Sequence, residues 1–541
     1  MLIAVATVLA VYVAPSRAEN EPTEEATPAP TPEATPEATP EATPTPTPEA
    51  TPEATPPTEG GETSATEPSE NARTFAFSGN VQSRTSMELD NQNRYSDFTV
   101  EHTMLYLRGV YNYSERFSLT LTGLGEYMLR ADFYGRENGA RYSANVEEMY
   151  ADLHFGRFDL RLGQQIVTWG RTDVFSPTDI INSVDTTRMI DTELGHYKIP
   201  NLMARARYYW TNVNLDAIFI PFFRPDHIQF IGSNWALLGN HVPVNLLITP
   251  LQQTALGRDF VSLLNTSFPG WDDSLEKALS TERLNALGPT IPEDDLEHWE
   301  FGARFSYNAG PVAGSASYYN GYDKLPTLYF SRDAVHLFEA LANNAPVAEI
   351  MDRVLHLDPD QLMVSRYKRF QQLGADFEAN LGPSVFRAEG AYAFDQPTYT
   401  DELEVVEKPM LTWTAGADYQ LPFDIDFNLQ YMQIYTPNWT PDLIMPRSLS
   451  FVIAYAHWFF LENKLEGYAQ ALYDASKWSI EGWRHGHIVN DDFQFSSKMS
   501  YEFVPDLRIG LGAIVFGGPR TELFGFIHDH SFGFLDIKYN F

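Results

Sequence analysis

The chain has 541 residues, 14% of them aromatic and none of them cysteine, with a formal net charge of −35. The missing thiols exclude disulfides, a lipoprotein anchor and thiol chemistry, and so acidic a chain makes nucleic acid a poor partner. The longest apolar run, residues 2–13, falls short of the roughly 18 residues that a membrane helix needs.

That run is followed by Ser16-Arg17-Ala18, which puts small residues three places and one place before a cut after Ala18. Residues 1–18 are therefore read as a secretory signal peptide. No Lys or Arg precedes the apolar run, which leaves an upstream start open. Residues 19–71 repeat Thr-Pro-Glu-Ala, with 13 Pro, 13 Glu and no basic residue. Such a stretch cannot bury a core, so a disordered linker with polyproline character is expected. Its reach is roughly 40 Å as a coil and roughly 160 Å as stiff polyproline. Two readings of it stand: a spacer, or a periplasmic tether to the cell wall or to a partner.

From Arg73 onward, period-2 alternation dominates. It predicts strands at 74–85, 98–112, 117–133, 145–156, 158–168, 201–211, 213–222, 299–308 and 312–320. It continues with 367–380, 385–395, 410–420, 425–437, 448–460, 465–475, 492–503, 507–516 and 531–541. In 117–133, Leu119, Leu121, Tyr127 and Leu129 alternate with Thr120, Thr122, Glu126 and Arg130. In 145–156, Met149, Ala151, Leu153 and Phe155 alternate with Glu148, Tyr150, Asp152 and His154. A greasy face opposite a charged face suits a wet barrel interior with lipid outside.

Loop lengths sort by parity. The connections after even-numbered strands are short turns, such as Gly156-Arg157. Those after odd-numbered strands include three long ones, 169–200, 223–298 and 321–366. These observations predict one all-β, transmembrane antiparallel barrel of about 18 strands (16–18) over residues 72–541, with long extracellular loops. Its surroundings would be outer-membrane lipid and lipopolysaccharide of a Gram-negative bacterium, with both barrel ends and the N-terminal tail periplasmic. The last strand carries Leu535, Ile537, Tyr539 and Phe541 on one face. That ending resembles the strand by which the barrel assembly machinery recognises its clients. Within the long loops, 273–287 and 332–356 have helical spacing. Residues 228–251 are apolar enough for a small core of their own or for a lid over the lumen.

The segment Arg161–Asp179 contains Gly163, Gln165, Trp169 and Gly170, then Ser176-Pro177-Thr178-Asp179, and the run closes at Pro221-Phe222-Phe223-Arg224-Pro225. It resembles a family of Gram-negative outer-membrane barrels, domain of unknown function 1302, which shares a G-R/K-Q-x-x-x-W-G pattern, an Asn-Pro-x-Asp loop and a strand ending near Pro-x-Phe. Gln164 stands where that family often has a basic residue, and Ser176 where Asn is usual. The resemblance implies a porin-like barrel of unestablished substrate. Hydrophobic cargo is suggested only by neighbouring exporters of some members.

Two readings fit this loop: packing for stability alone, or an inward-folded constriction. On the second, Gly163 and Gly170 permit close backbone packing and Trp169 wedges the mouth. Asp173, Asp179 and Asp185 would pair with wall arginines such as Arg161, Arg205 and Arg207. The inward Glu126, Arg130, Glu148, Asp152, His154 and Glu389 are read as a hydrated lumen wall. G-x-S-x-G, H-E-x-x-H and P-loop patterns are absent from the sequence, so neither enzymatic chemistry nor a cofactor is expected. His485, His487, His528 and His530 lie in the last two long loops, where they are either solvated histidines or a zinc or copper site. The function expected is a passive pore or carrier whose mouth is controlled by its loops. The alternative is a plugged barrel that serves as an anchor or a surface-binding module.

Overall fold

A computed structural model of the chain describes residues 73–89, 98–132, 139–185, 188, 196–227, 296–342, 345–346, 349, 353, 363–476, 492–519 and 523–541. The strands are β1 (Thr74–Glu88), β2 (Phe98–Ser114), β3 (Phe117–Asp132), β4 (Gly139–Phe155), β5 (Phe158–Gln165), β6 (Ser183–Val184), β7 (Lys198–Ile199), β8 (Asn201–Tyr209), β9 (Val213–Ile220), β10 (Glu300–Ala309) and β11 (Val312–Tyr322). There follow β12 (Thr327–Phe330), β13 (Met363–Arg366), β14 (Arg369–Leu381), β15 (Ser384–Tyr399), β16 (Val405–Leu421), β17 (Ile425–Tyr435), β18 (Ser448–Phe460), β19 (Leu465–Asp474), β20 (Phe493–Val504), β21 (Leu507–Gly517) and β22 (Phe532–Asn540). Eighteen of these form one closed antiparallel barrel; β6–β7 and β12–β13 are two-stranded ribbons outside it. Closure joins β1 to β22 from Asn80 opposite Asn540 to Glu88 opposite Phe532. Helix α1 (Arg332–Ala342) falls within the predicted helical stretch. The predicted helix at 273–287, the apolar stretch 228–251 and the tail lie outside the described residues.

The two faces of the wall separate as the alternation predicts. On β3, Leu121 is 52% exposed whereas its neighbour Thr122 is 1% exposed, so the leucine points outward and the threonine into the barrel. Outward aromatic residues stand beside most of the tight connections: Tyr113, Phe155, Trp210, Phe423, Phe460 and Phe503, with Phe541 at the same rim. A girdle of aromatics at one rim is how a barrel meets a membrane–water interface.

Three local departures matter for the site. Thr122 pairs with Glu148 and Gly123 with Val146, so Glu147 is an extra residue in β4. The resulting β-bulge sends both Glu147 and Glu148 toward the interior. Strand β5 stops at Gln165, three residues earlier than predicted, because the chain turns inward there. The inner wall is also less polar than expected. Toward the long loops, Met410, Met432, Ile434, Phe451, Ile453, Leu472, Ile514, Phe516 and Phe534 form an apolar inner surface, against which Phe175 and Leu523 pack. Burying aliphatic and aromatic surface under a loop removes it from lumen water at about 25 cal/mol per Å².

Candidate functional site

The site is built by the loop that leaves β5. Gly163 has φ +135°, and a β-carbon there would overlap the Met149 carbonyl of β4. Only glycine tolerates that approach, and it lets the chain turn off the wall. Gln165 is fully buried, its Nε2 donating to the Met203 carbonyl at 3.1 Å. Asn182 closes the loop's base. Its Oδ1 accepts from Val167 N at 2.7 Å, and its Nδ2 donates to the carbonyls of Gln165 and Ile199 at 3.2 and 3.0 Å. Trp169 is 1% exposed among Val167, Ile181, Met203, Ile218 and Ile220, and its Nε1 reaches Asp216 Oδ2 at 3.4 Å.

The far side of the loop is gripped by one carboxylate. Six donor atoms of the loop lie within hydrogen-bond distance of Glu389, on β15. Its Oε1 receives Ser176 Oγ at 2.5 Å, Thr178 N at 2.8 Å and Thr178 Oγ1 at 2.7 Å. Its Oε2 receives Arg171 N at 2.9 Å, Thr172 N at 3.3 Å and Thr172 Oγ1 at 3.1 Å. A carboxylate accepts at about four lone-pair sites, so these donors saturate it. Gly170, at φ +97°, lies beside it: a β-carbon would stand 2.7 Å from each oxygen of Glu389. Further contacts run along β14 to β17. Arg171 Nε meets Asp376 at 2.5 Å, Gln372 Nε2 donates to the Pro177 carbonyl at 3.0 Å, Arg387 meets Asp173 at 3.1 Å, and Asn428 Nδ2 meets Asp173 at 3.2 Å. The loop thus spans the lumen from β5, β8 and β9 to β14–β17, with Phe175 seated in the apolar inner surface beyond.

The expected pairing of loop aspartates with Arg161, Arg205 and Arg207 is not what the structure has. Asp179 pairs with Lys198 of the same loop at 2.5 Å, and Asp185 with Arg188 at 3.4 Å and His227 at 3.1 Å. Asp173 does meet a wall arginine, but it is Arg387. The named arginines pair instead with neighbouring strands: Arg161 with Asp152 at 2.7 Å, Arg205 with Asp216 at 2.5 Å and Arg207 with Asp159 at 3.6 Å. Asp152 lies directly across from Arg161 in the register, as Asp159 does from Arg207. Cross-strand proximity therefore outweighs longer-range charge attraction.

The remaining wall residues are also structural partners. Glu126 holds His102 at 3.1 Å and Arg188 at 2.5 Å, Glu148 accepts from Ile166 N at 2.9 Å, and His154 meets Asp159 at 2.8 Å. The side chain of Arg130 lies outside the described residues, as do His485 and His487 and the side chain of His528. His530 Nδ1 lies 2.8 Å from Glu88 Oε1. Among the described residues no cluster of three or more metal-ligating side chains occurs.

Sequence reading missed Arg171, Thr172, Arg304, Asp376 and Arg387. Arg171 and Thr172 follow the Trp-Gly pair directly, and the other three sit on inward parities, which was the available signal. A second buried acidic spot lies in the loops. Asp226 accepts from Val184 N at 2.7 Å, and burial raises its carboxyl to about 6. Asp323 beside it is also raised, burial being the larger cause.

A family model described as "Protein of unknown function (DUF1302)" matches residues 72–541. No curated protein matches the chain. Similar solved structures include OccK5 (OpdH) of Pseudomonas aeruginosa, with 8% identity and a TM-score of 0.44 over 86% of this chain and 97% of that one. OccAB3 of Acinetobacter baumannii has 11% identity and a TM-score of 0.44, over 86% of this chain and 99% of that one.

Proposed function

Because the chain belongs to the DUF1302 family, for which the fold carries no assigned activity, we propose that it is an outer-membrane channel for passive passage of small solutes. The observation that carries this reading is the loop that leaves β5, residues 166–185, docked across the lumen of a closed barrel. One end is fixed by Trp169 and Asn182, the other by Glu389. A barrel of this strand number is wide enough for water unless something narrows it. A loop held at both ends narrows it to a constriction of defined shape. The anchoring is polar, buried and saturated, which describes a fixed eyelet better than a swinging gate.

The exterior supports the location. Leucines and phenylalanines face outward along the strands, and aromatics ring the short-turn rim. On this reading the short turns face the periplasm, and the tail, which precedes β1 at that rim, lies there too. The test is swelling of liposomes that contain the refolded full-length protein, in solutions of sugars and amino acids of graded size. Swelling with small solutes and a sharp size cut-off supports the channel. Liposomes that behave like protein-free vesicles with every solute contradict it.

A further inference from the structure

Beneath the docked loop, toward the short-turn rim, lies a recess of about 240 Å³ lined by Arg171, Arg205, Arg207 and Arg304, with Asp216 as its carboxylate. The strand register explains the cluster. Asp159, Arg207, Asp216 and Arg304 form one inward row across β5, β8, β9 and β10. Neutral pairing along that row fails because the side chains lean to other partners. Asp216 gives its oxygens to Arg205, at 2.9 and 3.1 Å from Nε and 2.5 Å from Nη2, and to Trp169. Arg304 turns to Asp376, which Arg171 shares. Arg207 is left facing Asp159 at 3.6 Å, beyond hydrogen-bond length, and Asp159 is already engaged by His154 at 2.8 Å.

The recess lining thus carries four guanidiniums and one carboxylate; Arg171, Arg205 and Arg304 are paired with Asp376 and Asp216, whereas Arg207, with Asp159 beyond hydrogen-bond length, keeps most of its five N–H donors unspent. We propose that this recess is a binding site for the anionic group of a small solute, a carboxylate or a phosphate. The inference deepens the channel reading and rests on it for the solute's route. Arg205 and Arg304 are held in place by their own partners, Asp216 and Asp376, and frame the recess. Arg207 supplies the forked hydrogen bonds that match either oxyanion. The chain as a whole is strongly acidic, so an anion attracted here is attracted by this local cluster and not by the net field.

The experiment is calorimetric titration of the detergent-folded full-length protein with citrate and, separately, with inorganic phosphate. Each variant is first shown to be folded by its heat-modifiable gel shift. Saturable binding that weakens with added salt is expected for at least one probe. Arg207→Gln should weaken it about tenfold, as loss of charge-assisted hydrogen bonds does. Asp159→Asn, which releases Arg207, should strengthen it. Preference between the probes identifies the anion class. No saturable binding of either probe, or equal affinity in the wild type and Arg207→Gln, overturns the proposal. The same preparations in a planar bilayer keep the two readings apart. Anion binding without current contradicts the channel alone, and current without anion binding contradicts the recess alone.

Discussion

Gly170 and Glu389, 219 positions apart in the sequence, touch so closely that any β-carbon on the glycine would stand 2.7 Å from both carboxylate oxygens. The glycine is the space into which the latch closes. Gly170→Ala is therefore expected to undock the loop, since its positive φ strains an L side chain and the added methyl also overlaps Ser176 Oγ. Limited proteolysis of the folded barrel should then cut within residues 166–185, where the wild type resists. An uncut variant loop would show that the latch tolerates the displacement.

Glu389→Gln replaces an oxygen that accepts backbone N–H groups of Arg171 and Thr172 with an amide, which can set donor against donor. Loss of charge-assisted bonds at a buried site costs about 3 kcal/mol or more. The barrel itself, held by its strand ladders, should still show heat modifiability, while the loop becomes protease-sensitive. Thr178→Val, which removes one donor, should have a smaller effect in the same assay.

Trp169→Ala leaves a void between β5, β8 and β9 beneath Ile181 and Ile218. Removal of a buried large aromatic costs about 3–5 kcal/mol. The expected outcome is a lower apparent unfolding temperature, whereas Trp169→Phe, which keeps the packing and loses the bond to Asp216, should cost less. Equal losses from both would assign the role of Trp169 to its indole N–H and not to packing.

Asp226 gives a pH dependence of definite sign. Its carboxyl is raised by burial to about 6, so between its ordinary range and that value the folded state holds a proton that the unfolded chain does not. Its contribution to stability is present at low pH and is lost as pH rises through about 6. Asp226→Asn keeps an oxygen for Val184 N and removes the buried charge. It should raise the apparent unfolding temperature at pH 7.5 and change it little at pH 4.5. The reverse pattern would mean that the ionised carboxylate has a partner that stabilises it.

Much of this architecture was legible in the residues because its signals are local. Alternation of Leu119 and Leu121 with Thr120 and Thr122 marks a strand and both of its faces, and turn-sized gaps at Gly156 and Glu115 fix the order of loops. The motif around Trp169 coincides with the stretch that leaves the wall after β5. What it docks onto was hidden, because Thr178 and Glu389 lie 211 positions apart and nothing in period-2 patterning selects one inward glutamate among several. The bulge at Glu147 was hidden for a different reason: one extra residue shifts parity without altering composition. Charge alone misassigned the partners of Asp179 and Asp185, since the register places nearer carboxylates opposite Arg161 and Arg207. The apolar inner surface around Phe451 and Ile453 was unread because aliphatic residues on both faces erase the alternation.

The most direct test compares single-channel currents of the refolded wild type and Glu389→Gln in a planar bilayer, with folding of each verified by gel shift. A docked constriction predicts steady steps from the wild type and larger, noisier steps from the variant. Equal step sizes from both would contradict the role of the Glu389 latch in setting the aperture, and silence from both folded proteins would contradict the channel itself.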